Sequence, residues 1–171
     1  MINRALPTVL FLIVWGSTVA FGQTGTATPM NAVLLTVDGE VATPLKLTAA
    51  DLAKLPRRTL RAKAHDGKEA TFEGIELGDV LKLAGVKFGE QLRGKDLALF
   101  LIVGASDVYH AVFALPELDH AFTDCLIILA DRRDDKPLAE KEGPLRIVVP
   151  DEKREARWVR QVVSLTIHRA Q

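Results

Sequence analysis

Short apolar segments, separated by turn-forming residues about every ten positions, run through most of this sequence. Segments of this length that are rich in Val, Ile, Leu and Phe are typical of β-strands, so the chain is restricted to a fold built mainly from sheets. Because only two helices are indicated, the predicted fold class is α+β, with a mixed or antiparallel β-sheet and few short helices. The predicted strands are residues 33–37, 59–64, 70–73, 97–103, 109–113, 125–130, 145–149 and 163–167.

Both predicted helices have recognisable ends. Thr48 is a suitable N-cap for a helix over residues 49–55, and Pro56 would stop that helix. Residues 77–84 carry apolar side chains at the i, i+3, i+4 and i+7 positions of an amphipathic helix, and Gly85 would close it. The second helix is therefore expected to pack one apolar face against a sheet.

The N-terminus resembles a secretion signal. Arg4 supplies a positive charge, residues 9–15 are continuously apolar, and Ala20 and Gly22 have the small side chains and spacing that signal peptidase prefers. The alternative is an uncleaved membrane anchor, but the apolar stretch is shorter than the about 20 residues that span a bilayer. The predicted division of the chain is a signal peptide over 1–22, a flexible leader over 23–32 and one folded domain over 33–171.

Charge and cysteine content exclude several classes of function. The chain has 22 basic and 22 acidic residues, so its charge gives no reason to expect nucleic acid or an anionic membrane as a partner. Cys125 is the only cysteine, so no internal disulfide can form, and its apolar neighbours predict a buried position in a strand. No pair of histidines has zinc-type spacing, and the sequence predicts no metal site.

Four blocks, in this order, carry a family resemblance: DGEVATPLKLTAADLAKLP (38–56), FEGIELGDVLKLAGV (72–86), LADRRDDKPLAEKEGPLRIVVP (129–150) and RWVRQVVSLTI (157–167). Together they resemble the molybdopterin-binding domain of the sulfite oxidase family. The resemblance covers roughly residues 33–167, and the block over 129–150 is its most specific part. It implies a mixed α+β sandwich and a molybdopterin cofactor.

The sequence departs from the family at the metal ligand. Family enzymes hold molybdenum through a cysteine thiolate located shortly before the step that reads 72–74 here, and a soft thiolate is a strong donor to such a metal. This chain has His65 and Asp66 in that neighbourhood and no cysteine. These two residues are therefore the candidates for catalysis or an atypical metal ligand, and the alternative is an ordinary exposed turn.

Basic residues near the end of the most specific block are the candidates for cofactor or anion binding. The resemblance implies that a loop after the strand 145–149 holds the cofactor's phosphate, and the loop contains Lys153, Arg154 and Arg157. Arg146 alternates with apolar residues of that strand, so it could point into a polar pocket, where it would need an anion or carboxylate partner. The alternative is a solvated loop with weak ion pairs.

Three functions remain open at the level of sequence. The first is an exported, non-catalytic member of the fold that binds a small anionic ligand or a protein partner. The second is a periplasmic molybdenum oxidoreductase of the sulfite oxidase type with an atypical ligand. The third is an interaction subunit that docks on a redox or transport partner and does not use its cleft. Cofactor-loaded proteins cross the membrane folded through a route that requires paired arginines, whereas this signal has Arg4 alone. Both the missing cysteine and the signal therefore favour a chain without molybdopterin in the bacterial periplasm.

Overall fold

The computed structural model describes residues 32–64 and 67–171. The predicted signal peptide, the predicted leader up to residue 31, and His65 and Asp66 lie outside the described residues. Within the described part, no helix is long and apolar enough to cross a membrane.

Two five-stranded sheets make up the fold of the described residues. The first has the strand order β2-β1-β10-β5-β6, in which β1 and β10 are parallel and the other pairs are antiparallel. Its strands are β1 (Val33–Gly39), β2 (Leu45–Thr48), β5 (Leu99–Ala105), β6 (His110–Ala114) and β10 (Val162–Arg169).

The second sheet is antiparallel, with the order β3-β4-β7-β8, and β9 also pairs with β7. Side chains from both sheets, such as Leu35 and Leu165 from the first and Phe72 and Ile128 from the second, share one buried core. The predicted α+β class is confirmed. The strands of the second sheet are β3 (Arg57–Lys63), β4 (Glu69–Glu76), β7 (Ile128–Arg133), β8 (Lys136–Pro137) and β9 (Arg146–Val148).

Two short α-helices, α1 (Ala49–Leu52) and α2 (Leu77–Leu83), begin and end near their predicted signals. Thr48 caps α1 in a capping box with Asp51, and the hydrogen bond from the Thr48 hydroxyl lowers the pKa of Asp51 to about 2. α1 is shorter than predicted because its last turn tightens into i to i+3 hydrogen bonds. Gly85 follows α2 with a φ of +83°, as the sequence predicted.

Short 3-10 helices occupy other connections: Gly89–Gln91, Gly94–Ala98, Leu115–Leu118 and Glu155–Arg157.

Two details differ from the sequence-based expectation. Cys125 lies in the loop before β7, where its amide donates to the Thr123 hydroxyl, and it is only half-buried. Its predicted buried position in a strand was therefore wrong. Residues 163, 165 and 167 alternate with polar residues, which predicts one buried face, yet Val163 is exposed while Leu165 and Ile167 are buried. The register of β10 against β5 shifts between Val162 and Ser164, and Val162 is buried instead.

At Gly74 two strands of the second sheet approach each other closely. It lies where the register of β4 against β7 shifts, and a Cβ atom there would stand 2.2 Å from the Leu129 carbonyl oxygen and 2.5 Å from the Ala130 Cα. Both obstacles are backbone atoms, which cannot turn aside as a side chain can. Glycine is therefore required at this position.

We expect Gly74→Ala to lower the free energy of unfolding by about 3 kcal/mol or more, measured by urea denaturation, because the two strands must separate. Gly94→Ala is the matched control, because Gly94 has a positive φ of +59° but no atom within 4 Å of its added Cβ. The free energy of unfolding of the control should fall by only about 1 kcal/mol, which is the penalty of the left-handed backbone alone. Equal losses in the two variants would contradict the steric explanation.

Candidate functional site

A cavity of about 760 Å³ opens where both sheets meet the loop that follows β9. Its wall includes the end of β3, the turn between β5 and β6, Arg146 on β9, and most of residues 152–160. Three of the four predicted anion-binding residues, Arg146, Lys153 and Arg154, are brought together on this wall.

Arg146 is the most deeply placed charge of the cavity. Its exposed fraction is 3%, and its guanidinium carbon lies 5.4 Å from the ring centroids of both Phe72 and Trp158. One terminal nitrogen, Nη1, donates to Glu142 Oε1 at 2.7 Å, which provides the carboxylate partner that the sequence led us to expect. Burial lowers the pKa of this guanidinium. The buried Nε atom has no hydrogen-bond partner among the described residues.

Four exposed cations surround the mouth of the cavity: Lys63, Lys153, Arg154 and Arg160. No carboxylate of the described residues forms an ion pair with any of them. Among the described lining residues, five cations face four acids, so this part of the wall has a formal excess of one positive charge. Two of the four acids, Glu142 and Glu152, are paired with arginines, and the other two are Asp107 and Glu155.

Arg157, the fourth predicted anion-binding residue, lies outside the wall of this cavity. Its Nε donates to Glu152 Oε1 at 2.7 Å, and its Nη1 donates to Glu117 Oε2 at 2.8 Å and to the Val112 carbonyl at 3.3 Å. The guanidinium also stacks 4.5 Å from the ring centroid of Phe113. Its hydrogen-bonding capacity is therefore largely committed to neighbouring protein groups.

Tyr109 joins the turn between β5 and β6 to the loop after β9. Its hydroxyl donates to the Ala156 carbonyl at 2.7 Å, and its amide donates to Asp107 Oδ1. Val108, which lies between Asp107 and Tyr109 in the chain, has a φ of +65° and is 82% exposed. A β-branched residue in the left-handed region is strained, and such strain is found at functional sites.

Cys125 lies in a separate groove of about 380 Å³ and not on the cavity wall. Phe122, Ile127 and Val149 supply apolar side chains to this groove, and Arg157 forms part of its rim. Burial raises the pKa of the Cys125 thiol, and the nearby acidic side chains raise it further. The thiolate form is therefore disfavoured at neutral pH.

The candidate residues His65 and Asp66 are outside the described residues, but both of their neighbours, Ala64 and Gly67, line the cavity. The other three histidines lie elsewhere: His110 and His168 are exposed on strands, and His120 Nε2 is 3.0 Å from Glu76 Oε1. Across residues 32–64 and 67–171, no three His, Cys, Asp or Glu side chains are grouped closely enough to hold a metal ion.

Comparison with known families identifies the fold. The oxidoreductase molybdopterin binding domain family matches residues 25–171. The chain belongs to this family. The family resemblance that the four sequence blocks predicted is thereby confirmed.

A solved structure with the same molybdopterin-binding domain fold is the crystal structure of the sulfane dehydrogenase SoxCD from Paracoccus pantotrophus. The two chains are 23% identical, and they superpose with a TM-score of 0.63 over 78% of this chain and 37% of that chain. The present chain thus spans little more than a third of the SoxCD chain, and the similarity is one of fold. No protein with a curated description matches this sequence.

Two cations of the cavity, Lys63 and Arg160, were not predicted from the sequence. Lys63 ends β3, far from the others along the chain, and Arg160 follows Trp158 by two residues. Because Lys63 lies in the hairpin of β3 and β4, its place in the cavity follows only from how distant segments of the chain pair. Arg160 could have been found, because it alternates with the buried Val159 beside the predicted loop.

The Arg146–Glu142 pair allows a direct test of the buried charge. We expect Glu142→Ala to lower the free energy of unfolding by about 2–3 kcal/mol, because it leaves the guanidinium buried without its partner. Arg146→Met should cost less, about 1 kcal/mol, because an apolar chain of similar length replaces the charge. Urea denaturation of both variants checks this order, with the exposed Glu140→Ala as a control expected to change stability by less than about 0.5 kcal/mol. A larger loss for Arg146→Met would contradict it.

Proposed function

We infer that this protein is an exported, non-catalytic member of the molybdopterin-binding fold that binds a small oxyanion in the cavity. The observation that carries this proposal is Arg146, which is buried at the cavity with its Nε unsatisfied by the described residues. An unsatisfied polar atom of a buried charge is costly, and an oxygen-rich anion supplies the missing acceptors. A concave ligand site of this size suits a small molecule better than a protein partner.

The cations at the mouth support the same assignment. Lys63, Lys153, Arg154 and Arg160 form no ion pair with a carboxylate among the described residues, and positive charge is in excess among the described lining residues. Positive charges that line a concave surface raise the local concentration of anions and speed their association. The mouth cations would therefore attract the ligand, and the buried guanidinium would bind it.

The absence of molybdenum chemistry is supported by the donor set of the wall. The resemblance to the sulfite oxidase family implies a cysteine thiolate on the metal, whereas the chain's only cysteine, Cys125, lies in the separate groove with a raised pKa. The described wall offers carboxylates, amines, guanidinium groups and a phenol, which are not the soft donors that this metal site uses. The described residues therefore do not fit the metal of the family's cofactor.

Export to the periplasm is the part of the proposal that depends on residues 1–22. Their single arginine, apolar run and small residues favour the general secretion route, which threads unfolded chains. A chain exported in this way would reach the periplasm without a cofactor assembled in the cytoplasm. The sequence of residues 1–22 and the donor set of the described wall thus both support the proposed non-catalytic function.

The alternative function is a periplasmic molybdenum-dependent oxidoreductase in which His65 or Asp66 replaces the cysteine. The position of Ala64 and Gly67 on the cavity wall favours it, because the two candidates lie between them in the chain. Elemental analysis of the protein purified from its native host distinguishes the two. We expect no stoichiometric molybdenum. Stoichiometric metal that is lost in His65→Ala would establish the alternative and overturn the proposal.

Anion binding is tested with inorganic pyrophosphate and the mature chain, by isothermal titration calorimetry at fixed ionic strength. We expect the double variant Lys153→Ala/Arg154→Ala to bind about tenfold more weakly, which corresponds to a loss of about 1.4 kcal/mol, because two mouth cations are removed. Added sodium chloride should weaken wild-type binding as well.

The matched control for pyrophosphate binding is Lys46→Ala/Lys87→Ala, which removes two exposed lysines that do not line the cavity. It loses the same net charge, so it should retain affinity within about twofold if local contacts matter more than overall charge. Equal weakening in the two double variants would show that the cavity is not the binding site. A wild-type protein that binds no pyrophosphate would overturn the proposed function.

A further inference from the structure

The loop over residues 151–158, here called the anion loop, carries two of the mouth cations, Lys153 and Arg154. Its residues 152–154 contain no regular secondary structure, so the positions of these cations depend on side-chain contacts at other points of the loop. Trp158 Nε1 donates to the Val149 carbonyl at 2.8 Å and thus fixes the end of the loop. Ala156 is held by the Tyr109 hydroxyl.

The third attachment is Arg157, which joins the loop to residues of β6 and of a 3-10 helix that do not line the cavity. Its guanidinium connects Glu152, inside the loop, with Glu117 on the 3-10 helix Leu115–Leu118 and with the Val112 carbonyl on β6. The same guanidinium stacks on Phe113. The position of the guanidinium is thus defined from different directions by two carboxylates, a carbonyl and an aromatic face. A planar guanidinium can make all four contacts at once, whereas the ammonium of a lysine lacks this geometry.

We propose that Arg157 is a positioning residue, which binds no ligand itself but holds the anion loop in the shape that presents Lys153 and Arg154 to the cavity. The inference rests on the proposed function, and it assigns Arg157 a role different from the phosphate contact that the sequence suggested. The arginine also holds Glu152, a wall acid, through its Oε1 atom and so keeps that carboxylate from pairing with the mouth cations.

The energetic reason is preorganisation. A loop that is already ordered in its binding shape loses little conformational entropy when the ligand arrives, whereas a free loop loses more and therefore binds more weakly. Lys153 and Arg154 are exposed and have no ion pair among the described residues, so their own side chains do not hold the loop in place. The attachment at Arg157 therefore contributes to affinity through the loop.

A substitution at Glu117 distinguishes the positioning role of Arg157 from a simple effect of charge on anion affinity. It does not line the cavity, and its Oε1 accepts the Ala114 amide while its Oε2 accepts Arg157. Glu117→Gln removes one negative charge near an anion site, so electrostatics alone predicts unchanged or tighter binding of an anion. Loss of the positioning contact predicts the opposite, because the loop is released. The two explanations thus differ in the sign of the change.

The test measures pyrophosphate affinity of Glu117→Gln and Arg157→Lys by calorimetry at fixed ionic strength. We expect both variants to bind about threefold to tenfold more weakly than wild type, since an ordered loop is replaced by a free one. Hydrogen exchange of the backbone amides over residues 151–158 should accelerate in both variants without ligand. Glu90→Gln, an exposed acid-to-amide change that touches neither the loop nor the cavity, should alter neither quantity.

Each outcome has one meaning. Unchanged or tighter binding in Glu117→Gln, together with weaker binding in an Arg157→Ala variant, would show that Arg157 contacts the anion directly and would overturn the positioning role. Retained affinity in Arg157→Lys would overturn it as well, because a charge alone would then suffice. A wild-type protein that binds no pyrophosphate would instead contradict the proposed function. Circular dichroism confirms that each variant is folded at the temperature of measurement.

Discussion

The Arg146 guanidinium is a charge almost entirely withdrawn from water, and the architecture around the cavity is organised to accommodate it. Desolvation of a cation is expensive, so a fold that retains one at this depth must supply a counter-charge, polarizable surroundings or both. Glu142 supplies the first, and the rings of Phe72 and Trp158 supply the second. The strand β9, the turn before it and the loop after it are thus coupled through one side chain.

Local signals in the sequence predicted most of the secondary structure but only part of the site. Thr48 and Gly85 are boundary signals that act over a few residues, and both stand where the sequence placed them. Arg146 and its need for a carboxylate followed from alternation along one strand. The sequence could not predict that Lys63 lines the same cavity as Arg146, because β3 reaches the cavity only through pairing within the second sheet.

The tertiary structure also adds contacts that sequence patterns do not contain. Cys125 was assigned to a strand because apolar residues follow it, but a hydroxyl at Thr123 binds its amide and keeps the chain in a loop. Arg157 has the right charge and sequence position for anion binding, yet Glu117 and Glu152 occupy its hydrogen-bond donors. Charge can be counted in a sequence, whereas the partners that neutralise it are set by the tertiary structure.

The pair formed by Arg157 and Glu117 also affects how this molecule meets other chains. β6 is the last strand of its sheet, and an open strand edge invites pairing with another polypeptide and hence aggregation. Here the Val112 carbonyl accepts from Arg157 and the Ala114 amide donates to Glu117. Two edge groups that a foreign strand would need are already satisfied by side chains. The residues that contact the anion loop therefore also leave this margin of the sheet with two fewer free backbone groups for a strand of another chain.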